Sequence, residues 1–196
     1  MNKLPEIIGI AGTNGAGKDT LGDLRSALQG ARKVSLSDIL RAEADKRGLA
    51  HERSHLAAIS TELSRQLGAG ALSLATIQHY QETRTPEDTG LSIVSIRRPA
   101  EGRAIQEAGG KLLWIDADRH IRYHRIRNAN RGRATDVKTF EQFCAEEDQE
   151  MNPDTDDPFV LNMSKVRSIA DEEVINEFGS EPEFEEHLIN RFNLKS

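Results

Sequence analysis

Cys144 is the only cysteine in the 196 residues. This excludes an internal disulfide and a cysteine-built zinc site, and fits a reducing compartment. No stretch reaches the roughly 18 consecutive apolar residues that a spanning helix needs, so no membrane partner is expected. The opening residues MNKLPEIIGIAGTNG hold one lysine and a short apolar run that ends in glycines. That pattern is unlike a signal peptide, and the expected location is cytoplasmic. An excess of basic charge is also missing: 26 Lys and Arg stand against 32 Asp and Glu, a net charge of −6. This argues against a nucleic-acid partner. No internal repeat, low-complexity tract or linker interrupts the chain, so residues 1–196 read as a single domain. No feature specifies an oligomeric state. The guanine-recognition pattern Asn-Lys-x-Asp is absent. His51, His55, His79, His120, His124 and His187 have no metal-ligand spacing.

What is present is a polar globular composition with unevenly placed charge. Charged residues make up 30% and hydrophobic ones 37%, enough for a folded core. Between Arg119 and Arg133 there are six arginines and no acid, whereas Glu141 to Val160 holds eight acids and no Lys or Arg. An arginine cluster in an acidic chain points to a small polyanionic ligand.

Apolar periodicity predicts the elements. Strands are expected at Glu6–Ala11, Lys33–Ser35, Leu91–Ser95, Lys111–Asp116 and Glu173–Ile175. Helices are expected from Lys18 to about Gln29, from a Ser37 cap to Gly48, around Leu56–Leu67, and from Ala71 to about Glu82. Further helices are expected at Pro99–Ala108, Arg119–Asn128, Val137–Glu150 and Phe159–Ala170, with a last one carrying Phe184, Leu188 and Phe192. Strands alternating with helices imply an α/β fold built of parallel βαβ units, with ligands bound beyond the carboxyl ends of the strands.

The most informative segment is Gly12-Thr13-Asn14-Gly15-Ala16-Gly17-Lys18-Asp19-Thr20. It carries Gly-x-x-x-x-Gly-Lys between an expected strand and an expected helix, the context a phosphate-binding loop requires. Its glycines let successive N–H groups turn inward toward phosphate oxygens, and the helix beginning at Lys18 adds its positive dipole end. The Lys18 ammonium is placed for the β- and γ-phosphates, and Thr20 for the α-phosphate. Asp19 stands where a Ser or Thr usually ligates magnesium. A carboxylate there can hold Mg²⁺ directly or through water, with Asp38 or Asp116 as further candidates.

These segments resemble the P-loop kinase superfamily over nearly the full length. The Gly-Lys-Asp variant is similar to that of deoxynucleoside monophosphate kinases and one class of phosphomevalonate kinase. Ser35-Leu-Ser-Asp-Ile-Leu-Arg41 resembles a segment of adenylate-kinase-type enzymes, which implies that Arg41 grips the acceptor phosphate with Asp38 near the transfer centre. In Ile96-Arg-Arg-Pro, Arg97 lies where such kinases place a second acceptor-gripping arginine. Ala170-Asp-Glu-Glu-Val-Ile-Asn-Glu-Phe-Gly179 resembles the base-site segment of dephospho-CoA kinases, with Asn176 and Gly179 at the matched positions. The resemblance implies a three-layer P-loop fold: a five-stranded parallel sheet with helices on both faces, an acceptor-binding helical insertion at about 38–85 and an arginine-rich lid at about 119–137. Within the lid, Arg125 and Arg131 are the expected contacts to the transferring phosphate, with Arg122 or Arg133 as exchangeable choices.

The implied activity is ATP- and Mg²⁺-dependent transfer of a phosphoryl group to a small phosphate-bearing acceptor, most simply a nucleoside or deoxynucleoside monophosphate. The alternatives are dephospho-CoA kinase, with Asp38 as base toward a ribose hydroxyl, and a nucleotide-binding switch or ATPase acting on a partner.

Overall fold

The computed structural model describes residues 3–129 and 138–194. Five strands, β1 (Ile7–Gly12), β2 (Arg32–Ser35), β3 (Leu91–Ile96), β4 (Lys111–Asp116) and β5 (Glu172–Ile175), form one parallel sheet in the order β2-β3-β1-β4-β5. β1 is central and buried along its whole length, which is why its sequence is a continuous apolar run instead of an alternation.

Side-chain parity divides the core between the two faces of the sheet. Ile8, Ile10, Leu113, Ile115 and Val174 pack with Leu21 of α1 (Lys18–Gln29) and with Phe184, Leu188 and Phe192 of α9 (Glu181–Phe192). On the other face Ile7, Ala11, Ile93, Leu112 and Trp114 meet Ile77 and Tyr80 of α4 (Ala71–Thr83), Ile105 of α5 (Pro99–Glu107) and Val166 of α8 (Met163–Ser168). Each Val, Leu, Ile or Phe among them contributes about 1.5–3 kcal/mol when fully buried. A smaller cluster of Leu40, Ala44 and Ile59 joins α2 (Leu36–Lys46) to α3 (Arg53–Leu67). Two more helices, α6 (Arg119–Asn128) and α7 (Phe140–Met151), stand beyond the carboxyl end of β4.

At the end of β3 the pairing with β1 shifts. Val94 lies opposite Ile10 and Ile96 opposite Ala11, while Ser95 between them takes a left-handed φ of 68°. This is a bulge: one extra residue that reverses the alternation. Ile96 therefore joins the same face as Ile93.

The expected strands and most helices are in place, with two corrections. α2 begins at Leu36, with Ser35 as its cap residue, so Ser37 lies inside the helix. Leu36 is 2% exposed, and its burial fixes where the helix starts. The helix expected over Phe159–Ala170 is confined to Met163–Ser168. The backbone ahead of it is committed elsewhere: the Phe159 carbonyl accepts from Arg98 Nε at 2.9 Å, and the Asn162 N–H donates to the Arg97 carbonyl at 3.2 Å. Asn162 then caps α8 by accepting from the Lys165 N–H, the local bond that draws Asn to helix starts. Among the described residues no helix is long and apolar enough to cross a membrane.

Candidate active site

The residues from Gly12 to Lys18 turn from β1 into α1 beyond the carboxyl end of the sheet. Gly12 has φ 141°, and a Cβ there would sit 1.9 Å from the Ile115 carbonyl oxygen. Gly17 caps α1 in a left-handed conformation, φ 89°, and a Cβ would meet Asn176 Nδ2 at 2.8 Å. No side chain fits at either place, so the loop lies close against β4 and the segment after β5.

The loop is held from outside. Thr13 Oγ1 donates to Asp116 Oδ1 at 2.5 Å. Asp116 ends β4 and also accepts from Trp114 Nε1 and the Ala117 N–H. Arg122, buried on α6, donates to the Asn14 carbonyl at 3.3 Å and to both oxygens of Glu147 on α7. Asn176 Nδ2 donates to the Ala16 carbonyl at 2.8 Å. Three loop residues thus have partners on β4, on α6 and on the segment after β5. The outward carbonyls are tied down, while the N-terminal end of α1 offers N–H groups that have no partner within the helix.

Lys18 Nζ donates to the Thr13 carbonyl at 2.9 Å. Burial, with the nearby Arg97 charge, pushes its pKa down to about 8. Beside it lies a small cavity lined by Gly12, Thr13, Asn14, Arg53, Arg97 and Glu150, among others. Arg53 begins α3, Arg97 follows β3, and Glu150 lies in the last turn of α7. Glu150 accepts from Arg97 NH1 at 3.1 and 3.2 Å and from two nitrogens of Arg53. Burial alone would raise its pKa, but Arg97 and Arg53 outweigh burial and hold it below the usual carboxylate range. Glu101, buried in α5, accepts from the backbone N–H groups of Arg97 and Arg98 and so fixes the main chain that carries Arg97.

The other expected residues are distributed as follows. Gly15 and Ala16 complete the loop. Thr20 is buried in the first turn of α1, its N–H bonded to the Gly17 carbonyl at 3.2 Å. The Asp19 carboxylate, 63% exposed, pairs with Lys33 Nζ at 3.0 Å. Asp38 and Arg41 pair with each other along α2, Asp38 being 70% exposed. Arg125 donates to the Asn176 and Phe178 carbonyls at 3.1 and 2.9 Å and to Asn176 Oδ1, so its guanidinium rests on the segment after β5. The Gly179 N–H donates to Glu183 at 3.0 Å. Arg131 and Arg133 lie outside the described residues. Sequence reasoning did not find Arg53, Glu101, Glu147 or Glu150. Arg53, Glu147 and Glu150 belong to no motif, the last two sitting among eight acids, whereas Glu101 closes the Ile96-Arg-Arg-Pro-x-Glu101 segment as the capping-box residue of α5, a local signal to which no role was attached.

Among the described residues no group of three or more His, Cys, Asp or Glu side chains could hold a metal by itself. Mg²⁺ is commonly held by one or two carboxylates together with substrate phosphates and water. Asp19, exposed at the start of α1, suits that arrangement.

No protein-family model matches the chain. It is 28% identical over 177 residues to a UPF0200 protein of Pyrococcus abyssi, which covers 87% of each chain. It is also 28% identical over 184 residues to a UPF0200 protein of Pyrobaculum aerophilum, covering 93% of this chain and 94% of that one. Among solved structures it is similar to TT1252 from Thermus thermophilus, with a TM-score of 0.56 and 20% identity over 96% of both chains. It is similar to shikimate kinase from Bacteroides thetaiotaomicron, with a TM-score of 0.55 and 14% identity over 95% of this chain and 96% of that one. A gluconokinase from Sinorhizobium meliloti 1021 gives a TM-score of 0.51 at 13% identity, over 98% of this chain and 94% of that one. The fold is the α/β fold of P-loop kinases, with its five parallel strands and flanking helices.

Proposed function

We propose that the protein is an ATP-dependent phosphotransferase that moves the γ-phosphoryl group to a small phosphate-bearing acceptor, most simply a nucleoside or deoxynucleoside monophosphate. One observation carries this reading: Arg53 and Arg97 line the same cavity as Gly12, Thr13 and Asn14 of the phosphate loop. Two guanidiniums beside the transfer position suit an acceptor that brings its own anion.

The reaction needs little covalent help. The acceptor phosphate oxygen attacks the γ-phosphorus in line. The bond from that phosphorus to the β–γ bridging oxygen breaks, and ADP leaves with the electron pair. Lys18 and the loop N–H groups hold the β- and γ-phosphates, and Arg97 and Arg53 hold the acceptor. Asp19 would hold a Mg²⁺ ion brought by the nucleotide, and that ion would supply further neutralisation of the phosphate charge. Asn176, Gly179 and Arg125 border the base site. The work is positioning and charge neutralisation.

Dephospho-CoA kinase is the second reading. The resemblance of 170–179 to that enzyme's base-site segment supports it, together with the contact of Asn176 with the phosphate loop. There Asp38, exposed on α2, would take the proton of a ribose hydroxyl. The test incubates the protein with ATP and Mg²⁺ alone, with each common nucleoside monophosphate, and with dephospho-CoA, following ADP and phosphorylated product. A diphosphate product supports the first reading and CoA the second. ADP released without any acceptor product points to a partner-directed ATPase. Failure of calorimetry to detect nucleotide uptake overturns all three.

A further inference from the structure

The cavity beside Lys18 already contains an anion, and it belongs to the chain. Each Glu150 oxygen accepts one N–H from Arg53 and one from Arg97. A carboxylate clasped by two guanidiniums is the arrangement that an incoming phosphate would need.

The placement is electrostatically unfavourable for both helices concerned. Glu150 is the next-to-last residue of α7, where the negative end of the helix dipole repels a carboxylate. Arg53 is the first residue of α3, where the positive end repels a guanidinium. Neither helix gains from having that charge there, so the cluster is maintained by the attraction among its own members. Both guanidiniums share the Glu150 carboxylate, with the Lys18 ammonium close by and the carboxylates of Glu101 and Asp19 acting on Arg97 and Lys18. Arg53 also pairs with Glu146 at 3.7 Å, a carboxylate that Lys138 shares, so Glu150 is the one acid held by both guanidiniums.

We infer that Glu150 is the specificity-determining residue of the acceptor site: it fills the Arg53–Arg97 clasp as an internal anion, and only a dianionic phosphomonoester head displaces it. A monoanionic head offers no more charge than Glu150 and competes with a group that is covalently present. A phosphate dianion matches the charge of both guanidiniums. The inference rests on the phosphotransferase reading for its acceptor, but it is testable without turnover.

The probes are methyl phosphate, a dianion at about pH 8, and dimethyl phosphate, a monoanion of similar shape. Each is titrated by calorimetry into the full-length protein with ADP present to occupy the phosphate loop. ADP uptake, measured first, reports on the function reading separately. Wild type is expected to bind methyl phosphate and to discriminate against dimethyl phosphate by at least about tenfold. In Glu150→Gln, which keeps the side-chain shape and removes the charge, methyl phosphate is expected to tighten about tenfold and dimethyl phosphate to become a measurable ligand. Glu150→Asp, retaining a shorter carboxylate, should fall between the two and serves if the Gln variant does not fold. Affinities unchanged within twofold in a folded variant overturn the inference. So does weaker methyl phosphate binding, which would make Glu150 a scaffold for the arginines. ADP uptake without methyl phosphate uptake in either protein removes the phosphate clasp but leaves the nucleotide site intact.

Discussion

Thr13 and Asp116, 103 positions apart in the chain, share a hydrogen bond of 2.5 Å that fastens the phosphate loop to the end of β4. Trp114, the only tryptophan, donates to the same carboxylate at 3.3 Å. Loop geometry and the indole environment are therefore linked through one side chain. In Asp116→Ala the Thr13 hydroxyl and the buried indole N–H lose their shared acceptor. The expected cost is about 1–3 kcal/mol of stability, with nucleotide affinity reduced about tenfold because the loop is no longer preorganised. Denaturant unfolding and ATP titration measure the two effects, and a shift in Trp114 emission should accompany them.

Gly12→Ala tests whether the loop tolerates any side chain. The added carbon would lie 1.9 Å from the Ile115 carbonyl, at a φ of 141° that L residues rarely adopt. A loss of about 3 kcal/mol or more is expected, visible as a large drop in Tm and accompanied by loss of nucleotide binding. An alanine variant with wild-type Tm would contradict the described path of β1 into the loop.

Lys18 links stability to pH. Folded, its pKa lies at about 8, against an ordinary value of 10.5. Between those values the unfolded chain holds the proton and the folded chain does not, so raising the pH favours the fold; below about 8 the full penalty of enclosing the ammonium is present. Lys18→Met should remove that rise and increase the stability of the nucleotide-free protein at neutral pH by about 1 kcal/mol. The same substitution should abolish nucleotide binding. Comparing the urea midpoints of wild type and variant across pH isolates the Lys18 contribution from that of other groups.

Arg125 discriminates between a lid role and a base-site role. Its guanidinium donates to the Asn176 and Phe178 carbonyls, and Asn176 in turn touches the phosphate loop. Arg125→Ala is expected to weaken ATP about tenfold by releasing the segment beside the base, while inorganic tripolyphosphate, which has no base, changes less than about twofold. Equal weakening of both ligands would place Arg125 over the phosphates instead. Competition titrations with the two ligands decide the question.

Much of the framework was legible in the sequence because its signals are local. The apolar runs of β1 and β4, and the Gly-x-x-x-x-Gly-Lys spacing, each lie within a few consecutive residues. Arg97 was found for the same reason, sitting just past a recognisable strand. Arg53 and Glu150 were not, since their significance comes only from meeting each other across 97 positions. A lone arginine opening a helix and one acid among eight carry no marker of that meeting. Arg122 was legible as one of a helical arginine row. Its burial against Glu147, in place of exposure toward a ligand, depends on how α6 packs on α7. The shortened α8 follows the same rule: its missing turns were taken by bonds to the corner between β3 and α5, which periodicity does not reveal.

Ser95 has a consequence larger than its size. Because this single residue is looped out at the end of β3, the chain beyond it keeps its sides, and that settles where two adjacent guanidiniums go. As the chain stands, Arg98 goes inward to the Glu101 carboxylate and Arg97 goes to Glu150 in the cavity. Were Ser95 instead paired regularly opposite Ala11, Ile96 and the two arginines after it would be turned to the other sides; deleting Ser95 would leave Ile96 opposite Ala11 and both destinations in place. An alignment that slides a gap across this point would misassign the cavity-facing position while matching every letter around it.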